Sequence, residues 1–209
     1  MSKMSILIAT TNPGKLKEIR FFLSDLPLKL VSLKDCHIID RAREDYPTFA
    51  KNAKHKARFY CDLSRLPTIA DDGGLEIDAL NGAPGVKSRR WVNGSDEATD
   101  EDLIKYTLEK LKNVPTEKRS AQLRAVIALA FPDGRIYQAT AKVRGVISEK
   151  AYKRTTKGYP YRSLLFIPKI GKFYHSREMT DEEIEKYNHR KKALKKLKLI
   201  IDKWLLEVL

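Results

Sequence analysis

Ala70-Asp71-Asp72-Gly73-Gly74-Leu75 is the stretch whose reading decides this chain. It follows a short apolar run, Leu66-Pro67-Thr68-Ile69, and sets two adjacent carboxylates before two glycines. The pattern reads as a strand that ends in a turn, with one acid held at its end and glycines that let a ligand approach the backbone. Two neighbouring acids suit a divalent cation or the activation of water, because a second negative charge raises one proton affinity or calls for a metal. A plain Asp-Asp-Gly-Gly turn has the same composition and no chemistry, so the surrounding chain must decide.

Upstream, residues 5–10 read as a buried strand and Thr11-Asn12-Pro13-Gly14-Lys15 as a turn into a helix with Leu16, Ile19, Leu23 and Leu26 at helical spacing. A second strand over 28–33 follows closely, which predicts a parallel crossover unit. Pro47 opens a helix to about Leu63. Downstream, Leu75 to Leu80 alternates as a half-buried strand should, and Thr99-Asp100-Glu101-Asp102 starts a helix to about Lys112. Ala121–Phe131 and Arg135–Ile147 are long β-type runs joined at Pro132-Asp133-Gly134, a hairpin signal. Thr180-Asp181-Glu182-Glu183 is a capping box. The last helix carries Ala193, Leu194, Leu197, Ile200, Ile201, Trp204, Leu205 and Val208 on one stripe. With no repeat, linker or low-complexity tract, residues 1–209 read as a single α/β domain, a long mixed sheet with flanking helices.

The 209 residues, 42% hydrophobic, are enough for a real core. There are 41 basic against 27 acidic residues, a net charge of +14, which attracts polyanions: nucleic acid, anionic membrane or nucleotide phosphates. No apolar run reaches the roughly 18 residues of a membrane span, and the N-terminus lacks the pattern of a signal peptide. Cys36 and Cys61 sit in no metal spacing, and none of the four histidines forms a paired ligand motif. These features predict a reduced, cytoplasmic protein and argue against zinc.

Thr10-Thr11-Asn12-Pro13-Gly14-Lys15 joins a strand to a helix, where free amides, a lysine and a glycine make an anion seat, although it is not a P-loop. Asn188-His189-Arg190 begins the last helix, where a His-Arg pair suits a purine edge or a phosphate. Tyr152, Tyr159, Tyr161 and Phe166, interleaved with Lys153, Arg154, Lys157 and Arg162, read either as base-stacking residues or as core.

Five ordered segments resemble the inosine triphosphate pyrophosphatase family. Thr11-Asn12-Pro13-Gly14-Lys15 with Glu18 is similar to its T-x-N-x-G-K-x-x-E opening, and Thr48-Phe49-Ala50-Lys51-Asn52-Ala53 with Lys56-Ala57 to its S/T-F-x-E-N-A-x-x-K-A segment. Ala70 to Leu75, then Asp78 to Ser88, resembles A-D-D-S-G-L-x-x-x-A-L-x-G-x-P-G-x-x-S. Arg154 through Pro168 lies where R-G-x-x-G-F-G-Y-D-P-x-F occurs, and Glu178-Met179-Thr180 with Asn188-His189-Arg190 resembles the E-M-T…S-H-R ending.

The resemblance implies an elongated α/β fold with two lobes around a central cleft, a homodimer, and Mg²⁺-dependent cleavage of ITP, dITP and XTP to monophosphate and pyrophosphate. Carried over residue by residue, it makes Asp72 the acid that activates water or holds the metal. Its substrate-binding positions become Thr10, Thr11, Asn12, Lys15, Gly73, Tyr161, His189 and Arg190. Thr11, Asn12 and Lys15 would grip the triphosphate, and His189 and Arg190 the purine. The chain departs from the pattern at several of these sites. Lys51 stands in place of a metal-binding Glu, Arg162 in place of the Asp after Tyr161, and Ile184 in place of a Lys. Pro160, Ser163, Gly73 and Asn188 differ too. Two acid-to-base exchanges should weaken Mg²⁺ binding while keeping phosphates attracted, with Glu44, Asp45 or Glu76 as replacement ligands. A nucleotide-binding homologue without turnover, or a nucleic-acid-binding protein using the basic last helix, are the alternatives, the latter with steep salt dependence.

Overall fold

A computed structural model describes residues 4–95 and 98–208. Its described strands form one mixed seven-stranded sheet in the order β2-β1-β3-β4-β5-β6-β7. β1 (Ser5–Ala9), α1 (Pro13–Phe22) and β2 (Lys29–Ser32) make the expected crossover: β1 and β2 are parallel, with Ser5 opposite Lys29 and Ile8 opposite Ser32. β3 (Thr68–Ile77) lies parallel to β1 on its other side, with Leu7 opposite Thr68 and Ala9 opposite Ala70. A helix, α2 (Phe49–Ser64), makes that second crossover, capped at its start by the Thr48 hydroxyl accepting from the Lys51 amide.

The acid-glycine stretch is not a turn. Asp71, Asp72, Gly73 and Gly74 lie inside the ten-residue β3, which runs straight through them. The half-buried strand expected over 75–80 stops at Ile77, and Asp78–Leu80 is a single 3₁₀ turn. Asn81 and Gly82, at φ 51° and 84°, then reverse the chain so that the Gly82 amide donates back to the Ile77 carbonyl at 2.9 Å.

β4 (Ser120–Ala130) and β5 (Ile136–Ile147) follow as predicted, closed at the hairpin by the Phe131 amide donating to the Arg135 carbonyl at 2.9 Å. β6 (Leu165–Ile167) and β7 (Lys172–Phe173) pair antiparallel beyond β5. α3 (Asp100–Lys110) and α4 (Asp181–Tyr187) both open on capping boxes, Thr99 with Asp102 and Thr180 with Glu183, each satisfying orphan helix amides. α5 (His189–Val208) closes the chain.

The chain divides into two compact units, and its path changes unit at 72/73 and at 189/190. The first comprises residues 1–72, 125–141 and 190–209. Its core joins Ile6 and Ile8 of β1, Ile69 of β3, Ile19 and Leu23, and the α5 stripe of Ala193, Leu194, Leu197, Ile201 and Leu205. Each such Leu or Ile contributes about 1.5–3 kcal/mol by leaving water. The stripe runs as the sequence predicts except at its end, where Val208 is half exposed. The second unit comprises 73–124 and 142–189, around Leu75, Ile77, Leu103, Leu111, Ile147, Leu164 and Leu165.

Candidate active site

Successive residues of a strand point to opposite faces, so the two acids of β3 part company. Asp71 shares its face with Ile69 and meets α1 and α5. Its Oδ1 lies 2.5 Å from Lys15 Nζ, and its Oδ2 accepts from Arg190 Nε at 2.7 Å. Arg190 Nη1 in turn donates to Glu18 Oε2 at 2.7 Å. The Asp71 side chain is wholly buried. Burial alone would push its carboxyl up, but the Arg190 and Lys15 charges outweigh that and hold it well below the usual carboxylate range.

Asp72 behaves in the opposite way. Burial pushes its carboxyl up; the charges of Lys56 and Lys15 pull against this, and those of Glu44 and Asp71 add to it. Lys56, itself buried on α2, donates to Glu44 Oε2 at 2.7 Å. Burial would lower the Lys56 pKa, yet Glu44, Asp72 and Asp71 together hold it above its ordinary value, so it stays charged. α2 also ties down the loop that carries Glu44. Buried Asn52 accepts from the Tyr46 amide at 3.0 Å, and the Tyr60 hydroxyl donates to the Asp40 carbonyl at 3.1 Å.

The start of α1 differs from the expected anion seat. Asn12 Oδ1 caps the helix by accepting from the Gly14 and Lys15 amides at 2.9 and 3.1 Å. The Leu16 amide already bonds the Asn12 carbonyl, Pro13 has no N–H, and Thr10 Oγ1 accepts from the Asn12 amide at 3.1 Å. The cap therefore satisfies the helix amides that were expected to meet a phosphate, and the charge of Lys15 is what this segment offers an anion. Thr11 is exposed beside it.

In the second unit, Gly74 answers to packing rather than to a ligand. A Cβ there would run into the Ser88 hydroxyl, which accepts from the Leu75 amide at 2.9 Å and donates to the Gly85 carbonyl at 2.6 Å. Gly73 precedes it, half-buried in the strand. Tyr161 is in the core: its hydroxyl donates to the Ser88 carbonyl, and burial pushes its pKa up. Arg162, which takes the place of an expected acid, is buried with its guanidinium 3.9 Å from the Tyr159 ring centroid and 5.3 Å from that of Tyr174. His189 is buried against the Tyr174 hydroxyl, 2.7 Å from its Nδ1. Lys51, the other acid-to-base exchange, is exposed on the first turn of α2. On α5, Lys198 pairs with Asp25 and Lys196 donates to the Thr140 carbonyl at 3.3 Å, so parts of the basic run have intramolecular partners.

Among the described residues no group of three acids, histidines or cysteines could hold a metal by itself, and no helix is long and apolar enough to cross a membrane. Mg²⁺ needs only one or two carboxylates when phosphates complete its shell. Asp72, whose proton affinity the Glu44 charge helps to raise, fits that demand together with Glu44. The run G-K-x-x-E, Gly14 to Glu18, could have flagged Glu18 as a second acid on Arg190. Nothing in the spacing pointed to Tyr174.

The Ham1 family model matches residues 6–200. A dITP/XTP pyrophosphatase of Thermus thermophilus is 39% identical over 194 residues, covering 93% of this chain and 90% of the relative. One of Escherichia coli is 36% identical over 194 residues, covering 92% and 95%. Among solved structures, a HAM1 protein of Coxiella burnetii superposes with a TM-score of 0.81 at 31% identity, covering 96% of this chain and 99% of that one.

Proposed function

This chain belongs to the Ham1 family, and on that premise we propose that it is a nucleoside triphosphate pyrophosphatase acting on aberrant purine nucleotides: ITP, dITP and XTP. The products are the monophosphate and pyrophosphate. Asp72 is the observation that carries the reading, a buried carboxyl of raised proton affinity beside a charged lysine and a second acid. A carboxylate whose pKa is moved toward neutrality is a better general base than an ordinary one.

In this mechanism Asp72 takes the proton from a water whose oxygen attacks the α-phosphorus. The bond from that phosphorus to the α–β bridging oxygen breaks, and pyrophosphate departs with the electron pair. Asp72 and Glu44 would hold Mg²⁺, which when bound would neutralise charge on the polyphosphate. Lys15 meets the triphosphate, with Thr10, Thr11 and Asn12 just before it along the chain, and Gly73 follows Asp72 on β3. Tyr161 supports substrate binding through Ser88. His189 contacts the purine, and Arg190, tied to Asp71, anchors the start of α5 next to it. The same reading includes a homodimer and a cytoplasmic setting.

The test is pyrophosphate release from ITP, XTP and ATP with Mg²⁺ and with chelator. Metal-dependent release that favours the 6-oxo purines is the expected result. Nucleotide binding without release, or equal rates on ATP, would contradict the proposal.

A further inference from the structure

The Tyr174 hydroxyl makes two contacts with one residue: it lies 2.7 Å from His189 Nδ1, and it accepts from the His189 backbone amide at 3.4 Å. Both side chains are buried, Tyr174 to 2% and His189 to 4% exposure. A hydroxyl that accepts from the amide is disposed to donate its proton to the ring nitrogen. The Arg162 guanidinium over the Tyr174 ring strengthens that tendency, because a neighbouring cation makes a phenol a better donor and opposes a second positive charge on the imidazole. The neighbouring His175 agrees: burial first, then the Arg162 charge, lower its proton affinity. With Nδ1 accepting, the neutral ring carries its proton on Nε2.

We propose that Tyr174 is a positioning residue that holds His189 in the Nε2–H tautomer, so that the imidazole donates to the 6-oxo oxygen of the purine and refuses a 6-amino group. This rests on the assignment of His189 to the base. It gives Arg162 a purpose at a position where the resemblance leads one to expect an acid, since an aspartate there would favour the doubly protonated ring. A donor aimed at a carbonyl discriminates strongly against an amino group, because two donors then face each other in a buried place.

The experiment uses the full chain labelled with ¹⁵N-histidine. Signals of His189 are assigned by their loss in His189→Gln, and kcat and KM are measured for ITP and ATP in wild type and Tyr174→Phe. The expected result is a protonated Nε2 and bare Nδ1 in the wild type at neutral pH, and mixed tautomers in Tyr174→Phe. The ITP-over-ATP ratio of kcat/KM should fall about tenfold in the variant, mainly through KM. A wild-type ring protonated on Nδ1, or on both nitrogens, overturns the tautomer whatever the activity, and does so without relying on how the variant folds. A tautomer that shifts while the ratio stays the same overturns the specificity role. Wild-type protein that releases no pyrophosphate overturns the reaction itself, while the spectrum still decides the tautomer.

Discussion

Two neighbouring carboxylates on β3 live in opposite chemical worlds, one on each face of the strand. On the face shared with α1 and α5, Asp71 is compensated by Lys15 and Arg190 and stays ionised. On the α2 face, burial raises the proton affinity of Asp72, the Lys56 and Lys15 charges oppose it only in part, and Glu44 adds to the rise. Adjacent identical residues thus divide into an acid that stays ionised and one of raised proton affinity, and the division comes from Arg190, whose hydrogen bond and charge hold down Asp71. An enzyme needs the second kind, and the first kind anchors the helices that carry the remaining groups.

The sharpest way to break this comparison is Asp71→Asn. It leaves buried Arg190 and half-buried Lys15 without their shared carboxylate, and the expected cost is about 3–5 kcal/mol in urea or thermal melts. An unchanged melt would make Asp71 dispensable and the comparison empty. Gly74→Ala, farther along the same strand, is expected to cost about 1–3 kcal/mol, because its Cβ collides with Ser88 and the Gly85 carbonyl. If that variant kept its stability and lost nucleotide affinity, the glycine would serve a ligand after all.

Linkage separates the acids by sign. Asp71 has a depressed folded pKa, so its stabilisation is present above the unfolded value of about 3.9 and fades as pH falls through the folded one. Asp72 has a raised folded pKa, so its favourable protonated state is full below the unfolded value and is lost as pH rises through the folded one. Asp72→Asn should therefore stabilise the protein at neutral pH, by about 1 kcal/mol, and hardly at all at about pH 3. Melting curves at both pH values check the difference. The smallest effect belongs to Lys51→Glu. An acid on the first turn of α2 is expected to add about 0.3–1 kcal/mol at low salt and to lower the Mg²⁺ concentration needed for half-maximal rate.

Much of the fold was legible because its signals are local. Apolar spacing in residues 5–33 gave the crossover, Pro132-Asp133-Gly134 the hairpin, and Thr99 and Thr180 the capping boxes. Asp72 was singled out by its motif, and what the fold adds is its burial and raised proton affinity. The acid-glycine stretch misled because Asp and Gly favour turns locally, whereas Ser88 beneath Gly74 and the ion pairs of Asp71 are distant in sequence and hold the strand straight. Asn12 as a cap was readable from its place before Pro-Gly, yet its consequence, amides no longer facing a phosphate, depends on the side-chain oxygen turning back onto the Gly14 and Lys15 amides. Arg162 over Tyr159 and Tyr174, and Tyr174 against His189, are contacts that no spacing rule announces.

The most direct test of the division between the two acids is Mg²⁺-dependent pyrophosphate release from XTP by wild type and Asp72→Asn, each at equal concentrations of folded protein. The account predicts that the variant is at least as stable as wild type and loses activity about a hundredfold or more. A stable Asp72→Asn protein that works within a few fold of wild type would contradict it.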